Sequence, residues 1–400
     1  MPSSPLCHHP RDNPASRAGL YVHIPFCKKR CPYCDFYSVT DLPLKEPFLT
    51  ALEREMSIRS HTTHNLIFDT LYIGGGTPSL IRPAEVDRII RLAKAVFRLA
   101  AQVEVTLEVN PGTIDSRQLS QYVSAGVNRI HIGVQSFDPR NLELLGRIHG
   151  VKDAENALRW SRKAGFKTVG MDLIYGLPDQ QKDQWIQDLK RALDFEPEHI
   201  SCYMLTYEPG TRMTQNRDWG FFTALSQSRS AALFEATHRF LKENGYLAYE
   251  LSNFARLDAD KTVDNRSKHN QKYWHFLPYL GMGPSAHSYV NRTRWWNQPD
   301  VRAYVETIQA GRLPVAETED LTQTQQMIET IYLGLRTAEG VSIRQFDAAF
   351  GISFHQVFEK PLEALMGQDA INIFENRCFL TQKGKVLVDS ITDQLIQALP

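Results

Sequence analysis

Three of the chain's six cysteines, Cys27, Cys31 and Cys34, stand in C-x3-C-x2-C spacing within YVHIPFCKKRCPYCDFYS. Disulfides need pairs, and a tetrahedral structural zinc site takes four ligands. Three thiolates can instead hold three irons of a cubane [4Fe–4S] cluster, whereas ferredoxin-type clusters supply a fourth cysteine. The fourth iron then stays open to a small molecule, much as a catalytic zinc keeps one position free. Two other readings fit the loop taken alone: a zinc site with His23 as fourth ligand, or three unrelated buried cysteines. Cys7, Cys202 and Cys378 are isolated in sequence, and Cys202 lies in an apolar stretch that reads as core.

Further polar residues stand at the ends of apolar runs. GGGTPS (74–79) follows one such run, and consecutive glycines let backbone approach a ligand closely. LEVNPG (107–112) presents Glu108, a carboxylate able to accept hydrogen bonds from a ribose or an ammonium group. GVQSF (133–137) presents Gln135, a two-sided amide, and Arg147 in LLGRIHG has the fork geometry that suits a carboxylate. MDLIYGLP (171–178) carries Asp172. Each has an ordinary alternative as a turn or helix cap.

The elements that must position these residues alternate. Strand-like runs are LYVHI (20–24), TLYIGG (70–75), VEVTLEV (103–109), NRIHIGV (128–134), KTVGMDLIYG (167–176), HISCYML (199–205) and YLAYEL (246–251). Helical periodicity marks 45–60, 83–99, 115–126 and 153–165, the last two stopping at Gly126 and Gly165. Such alternation predicts an α/β fold with a parallel sheet, open or closed into a barrel, whose chemistry collects at the strands' C-terminal ends. Residues 252–300 read as an aromatic-rich connecting segment containing HNQKYW (269–274). Helices and a short hairpin over 301–400 read as a smaller, mostly helical, winged-helix-like domain. Residues 1–18 are polar and Pro-rich and read as a flexible leader, leaving 19–251 for the barrel.

The bulk composition narrows the partners. Lys plus Arg equals Asp plus Glu at 45 each, so net charge gives no argument for nucleic acid. No apolar stretch reaches the roughly 18 residues of a membrane span, and the N-terminus lacks a signal peptide's apolar core. A reducing, cytoplasmic setting is therefore expected, where clustered cysteines bind metal more often than they pair.

The three-cysteine loop with Tyr33 before its last cysteine resembles the radical S-adenosylmethionine (SAM) superfamily. YVHIPFC, GGGTP, GVQSF and DLIYGLP narrow the resemblance to its HemN-like family, over nearly the whole chain from Gly19. It implies a partial (β/α)6 barrel, a [4Fe–4S] cluster on Cys27, Cys31 and Cys34, and SAM among Tyr21, Tyr33, Gly75, Gly76, Thr77, Glu108, Gln135, Arg147 and Asp172. The family holds anaerobic coproporphyrinogen III oxidases, which decarboxylate porphyrinogen propionates, and heme chaperones. The oxidases carry a fourth cysteine two places after the third; Phe36 stands there, and the N-terminal extension is short, as in the chaperones. HNQKYW fits the chaperones' H-N-x-x-Y-W motif, making His269, Tyr273 and Trp274 candidate heme residues: imidazole can ligate iron and aromatic rings can stack on porphyrin. From chemistry alone the stretch reads equally as an aromatic loop over the barrel with His269 hydrogen-bonded; His275, His287 and Cys202 are other candidate ligands. The resemblance implies transfer of heme to apo-hemoproteins, respiratory ones among them, with an unnamed electron donor and a cluster-dependent homodimer. Propionate oxidation is the alternative, and a heme-independent SAM enzyme a third reading.

Overall fold

The computed structural model describes residues 17–258 and 263–399. The expected leader lies outside the described residues, apart from Arg17 and Ala18, which open the first strand. Six strands, β1 (Arg17–Ile24), β2 (Ile67–Gly75), β3 (Leu99–Val109), β4 (Arg129–Gln135), β5 (Thr168–Tyr175) and β6 (His199–Met204), pair in parallel and in chain order. Their crossovers carry the helices Lys45–Ser60, Pro83–Val96, Ser116–Ala125, Val151–Ala164 and Lys182–Leu193. Local chemistry sets these helices' ends. Asp115 accepts a hydrogen bond from the Gln118 amide, Gln118 caps Asp115 in return, and left-handed Gly126 (φ 104°) closes the same helix.

The parallel run ends at β6, which corrects the reading of 246–251 as a further barrel strand. Tyr246–Ala248 forms β7, antiparallel to β8 (Asn253–Arg256), and β8 is itself antiparallel to β6. The link between β7 and β8 is too short for the crossover that a parallel neighbour requires.

The segment 252–300, read as an aromatic-rich connection, carries regular elements of its own among its described residues. It contains a helix, Lys268–Trp274, and the strands β9 (Tyr279–Met282), β10 (His287–Val290) and β11 (Thr293–Asn297). With β12 (Val315–Asp320) they extend the sheet beyond β1, giving the order β12-β11-β10-β9-β1-β2-β3-β4-β5-β6-β8-β7. Asn291 and Arg292, both at positive φ, form the two-residue turn between β10 and β11 that matches strand twist.

Among the described residues two large hydrophobic cores form, besides a small cluster of Leu145, Ile174, Leu177 and Leu205. The larger runs from Ala18 to Ile308 and includes Val301, Tyr304, Val305 and Ile308 of helix Val301–Gln309. The second is built on Met327, Ile331 and Leu335 of helix Gln323–Arg336, with Phe346, Phe354 and Phe358. It docks on Phe234 of helix Gln227–Glu243. A three-stranded antiparallel sheet, Val341–Ser342, Arg377–Leu380 and Ile371–Phe374, completes this helical unit.

Candidate functional site

The barrel strands obey a strict alternation. Leu20, Val22 and Ile24; Leu71 and Ile73; Val105, Leu107 and Val109; and Ile130, Ile132 and Val134 are buried in the large core. The residues between them are polar or lack a side chain: Tyr21 and His23, Thr70 and Tyr72, Glu104 and Glu108, His131 and Gln135, Asp172, His199 and Ser201. Barrels of this type usually fill their interior with branched apolar side chains. This one is lined with groups that hydrogen-bond one another, so the sheet builds a polar chamber.

The cysteine loop follows β1 and is clamped from several sides. The Cys27 amide donates to the Val39 carbonyl at 2.9 Å, and the Val39 amide to the Pro25 carbonyl at 2.7 Å. GGGTP runs alongside: the Gly76 amide donates to the Ile24 carbonyl and the Thr77 amide to the Phe26 carbonyl, both at 2.8 Å. A Cβ on Gly76 would lie 2.8 Å from the Phe26 oxygen and 3.1 Å from Cys27 Sγ, so only glycine fits there. The Thr77 hydroxyl donates to Cys27 Sγ at 3.4 Å, and the Arg147 guanidinium to Cys31 Sγ at 3.5 Å. Thiolate ligands of a cluster use such donors. The zinc reading loses the fourth ligand it named, His23. His23 Nε2 donates to the Tyr37 carbonyl at 2.9 Å, and Nδ1 accepts from the Tyr21 hydroxyl at 3.0 Å. Among the described residues no three His, Cys, Asp or Glu side chains form a group able to hold a single metal ion.

Beside the loop stand the residues expected around SAM. Glu108 accepts from the Tyr72 hydroxyl at 2.6 Å and from the Gly75 amide at 3.2 Å. Burial pushes its carboxyl up to about 7; the Tyr72 hydrogen bond opposes the rise and the Asp172 charge adds to it. Arg147 donates to the Gly133 carbonyl at 3.0 Å and the Tyr33 hydroxyl at 3.3 Å. Its Nε is buried without a hydrogen-bond partner among the described residues, an open donor that suits an anionic group. Gln135 is held at φ 69°, a conformation disfavoured for a side-chain-bearing residue and concentrated at functional sites. Three thiolates, an open guanidinium donor and a buried carboxyl are the kinds of group that a cluster and a zwitterionic ligand call for.

Sequence reasoning missed the residues behind these. Asp172 Oδ1 accepts from His131 Nδ1 at 3.0 Å, His131 Nε2 meets His199 Nδ1 at 3.2 Å, and His199 Nε2 meets the Tyr249 hydroxyl at 2.7 Å. The Ser267 amide donates to that hydroxyl at 3.3 Å. Because Asp172 can only accept while ionised, the chain runs one way: Ser267 amide, Tyr249, His199, His131, Asp172. It ties the chamber to the segment that closes the barrel's opposite end.

That closing segment is the HNQKYW helix. It meets the N-terminal halves of the strands: the His269 amide donates to Glu104, Lys272 pairs with Asp69 at 2.7 Å, and Arg129 donates to the Asn265 carbonyl. His269 is 1% exposed. Its Nδ1 bonds Thr70 Oγ1 at 2.8 Å and its Nε2 bonds the Tyr273 hydroxyl at 2.9 Å, with Tyr72 stacked at 5.0 Å. Neither ring nitrogen is left open for iron as placed, and the helix lies at the end of the barrel away from the cysteine loop. Trp274 lies under the Arg336 guanidinium at 5.5 Å. His275 lies 3.8 Å from Glu339, His287 stacks on Trp296, and Cys202 is buried on the outer side of β6.

Residues 21–192 match the radical SAM superfamily, and residues 321–387 match the HemN C-terminal domain. The heme chaperone HemW of Bacillus subtilis is 33% identical over 93% of this chain and 97% of its own. The chain belongs to the HemW family. HemW of Escherichia coli is 31% identical over 94% of this chain and 97% of its own. In Danio rerio the mitochondrial radical S-adenosyl methionine domain-containing protein 1 is 30% identical over 96% of this chain and 88% of its own. Among solved structures, coproporphyrinogen III oxidase (HemN) from Escherichia coli superposes with a TM-score of 0.83 over 97% of this chain and 92% of its own. At 24% identity it shows that this HemW-family chain shares the fold, and no more.

Proposed function

We propose that the chain is a heme chaperone of the radical SAM type, working in the cytoplasm and passing heme to apo-hemoproteins, respiratory enzymes among them. The observation that carries this reading is likeness over nearly the full chain to heme chaperones at about 30% identity. Phe36 at the oxidases' fourth-cysteine position supports it further. Cys27, Cys31 and Cys34 would hold a [4Fe–4S] cluster. Tyr21, Tyr33, Gly75, Gly76, Thr77, Glu108, Gln135, Arg147 and Asp172 would surround SAM. Bound in this way, the cluster and SAM supply one-electron chemistry. The chain's own residues orient the ligand and keep water out: Arg147 offers its open Nε to a carboxylate, and Glu108 accepts from a cationic or hydroxyl group. No helix among the described residues is long and apolar enough to cross a membrane.

The alternative is oxidation of coproporphyrinogen III. The two separate in one preparation, purified and cluster-loaded without oxygen. The chaperone reading expects saturable hemin binding with a shifted Soret band, and no protoporphyrinogen IX from coproporphyrinogen III with SAM and reductant. Turnover without hemin affinity would reverse the assignment.

A further inference from the structure

Three large aromatic side chains stand in solvent on the cysteine-loop face: Phe36 at 69% exposure, Trp219 at 68% and Phe221 at 73%. Phe36 lies on the cysteine loop itself. Trp219 ends helix Arg212–Asp218, and Phe221 meets it edge-on at 6.1 Å. The start of this helix is fastened to the cysteine loop, the Met213 amide donating to the Pro32 carbonyl at 2.8 Å. Tyr207 lies behind, packed with Tyr33 in one small cluster, 6.0 Å from Phe222 and 5.0 Å under Arg217. Its hydroxyl is buried with no hydrogen-bond partner among the described residues. Lys28, Lys29 and Arg30, the chain's one run of three cations, are exposed on the cysteine loop, and Arg212 is exposed on the helix.

We propose that this rim is the docking surface for heme, recognised as a flat apolar ring carrying two carboxylates. The proposal rests on the chaperone reading and names the place where that cargo sits. Exposed π faces suit a macrocycle, and cations at the margin suit its propionates. Asp218 pairs with Arg217, which leaves Arg212 and the loop cations as the carboxylate partners. A membrane would want an amphipathic helix, but RMTQNRD is polar throughout except for Met213, which is buried. Recognition here uses ring faces and propionates, so iron is not required, and His269 at the far end of the barrel takes no part.

The test is a titration of the cluster-loaded full chain with hemin and with metal-free protoporphyrin IX, read by the Soret band. W219A/F221A should weaken both by about tenfold or more, as loss of aromatic stacking does elsewhere. K29E/R212E should weaken both about threefold or more, with the difference shrinking at high salt. SAM affinity and the circular dichroism spectrum, unchanged in both variants, report an intact chamber. Wild type that takes hemin but not protoporphyrin, or W219A/F221A that takes hemin as wild type does, overturns the rim and leaves the chaperone reading standing. Unaltered hemin affinity with lost association to anionic phosphatidylglycerol vesicles makes the rim a membrane contact and also overturns it. Wild type that takes no hemin removes the chaperone reading itself.

Discussion

At the scale of single residues, Glu108 is where charge and burial conflict most. Its carboxyl is pushed up to about 7 from an ordinary 4.5, first by burial. The folded protein therefore keeps a proton that the unfolded chain releases between those values. The contribution of this group to stability is full below about 4.5 and is lost as pH rises through about 7. Glu108→Gln copies the protonated form. In urea unfolding it should gain on the order of 3 kcal/mol over wild type at pH 8 and almost nothing at pH 4.5. SAM affinity by calorimetry should fall about tenfold or more at pH 8, the opposite sign, as expected where a site is strained for function. An equal loss of stability at both pH values would refute the buried-charge account. Glu108 and Gln135 stood out because a polar residue closing an apolar run is conspicuous, Asp172 because it interrupts one, and Arg147 only for its fork geometry in LLGRIHG. Tyr72, His131 and His199 were not: a tyrosine is an ordinary β former, and a histidine inside an apolar run reads as a core histidine with a hydrogen-bond partner. The signal was there in the period: Thr70, Tyr72 and Gly74, or His131, Gly133 and Gln135, fall on one face of their strands.

At the scale of elements, the cysteine loop is steadied by a junction that sequence pattern could not reveal. Glu55, in helix Lys45–Ser60, is 0% exposed. Its carboxylate accepts from the Tyr304 hydroxyl and Asn297 Nδ2, each at 2.7 Å, from the Gly283 amide at 2.9 Å, and from Arg59 at 3.4 Å. One side chain thus joins the first crossover helix to β11 and to helix Val301–Gln309, whose Val301 amide donates to the Tyr37 hydroxyl beside the cysteine loop. Tyr304→Phe keeps the packing and removes one hydrogen bond to a charge, which should cost about 1.5–3 kcal/mol. Glu55→Ala leaves Arg59 buried without its anion and should cost about 3–5 kcal/mol. Urea denaturation measures both; a smaller loss for Glu55→Ala than for Tyr304→Phe would mean the cluster is not a unit. The six barrel strands were legible from their apolar runs and four of the five crossover helices from their periodicity; Lys182–Leu193 was not read. The 252–300 segment was not, because its strands are four or five residues long and their polar positions hide any alternation. Their place at the sheet edge depends on partners such as Glu55 that are over 200 residues away in sequence.

At the scale of the whole molecule, buried histidines set the acid limit. Burial lowers His23, His149 and His238 to about 4 and His269 to about 3. They occupy different junctions. His23 backs the cysteine loop, and His149 lies against the Val134 carbonyl at the end of β4. His269 closes the opposite end of the chamber, while His238 packs on Phe234 of the second core and bonds the Leu251 carbonyl at 2.9 Å. Each is neutral when folded and takes a proton below about 6.5 when unfolded, so its stabilisation is full above 6.5 and is lost as pH falls through 4. Glu108 and Asp188, raised by burial to about 7 and about 6, act in the opposite direction across part of the same window. With His199, which burial also lowers, these histidines outweigh the two carboxylates and leave a net loss on the order of several kcal/mol between pH 6.5 and 4. The urea midpoint should therefore fall steeply over that range. His238→Gln, which keeps a donor for the Leu251 carbonyl and has no charge to gain, should reduce the slope by about one proton. Because the four residues bind both cores to the chamber, barrel and C-terminal unit should lose structure in a single transition. Two separate transitions in acid, with the slope unchanged in His238→Gln, would show that this histidine does not couple the second core to the first.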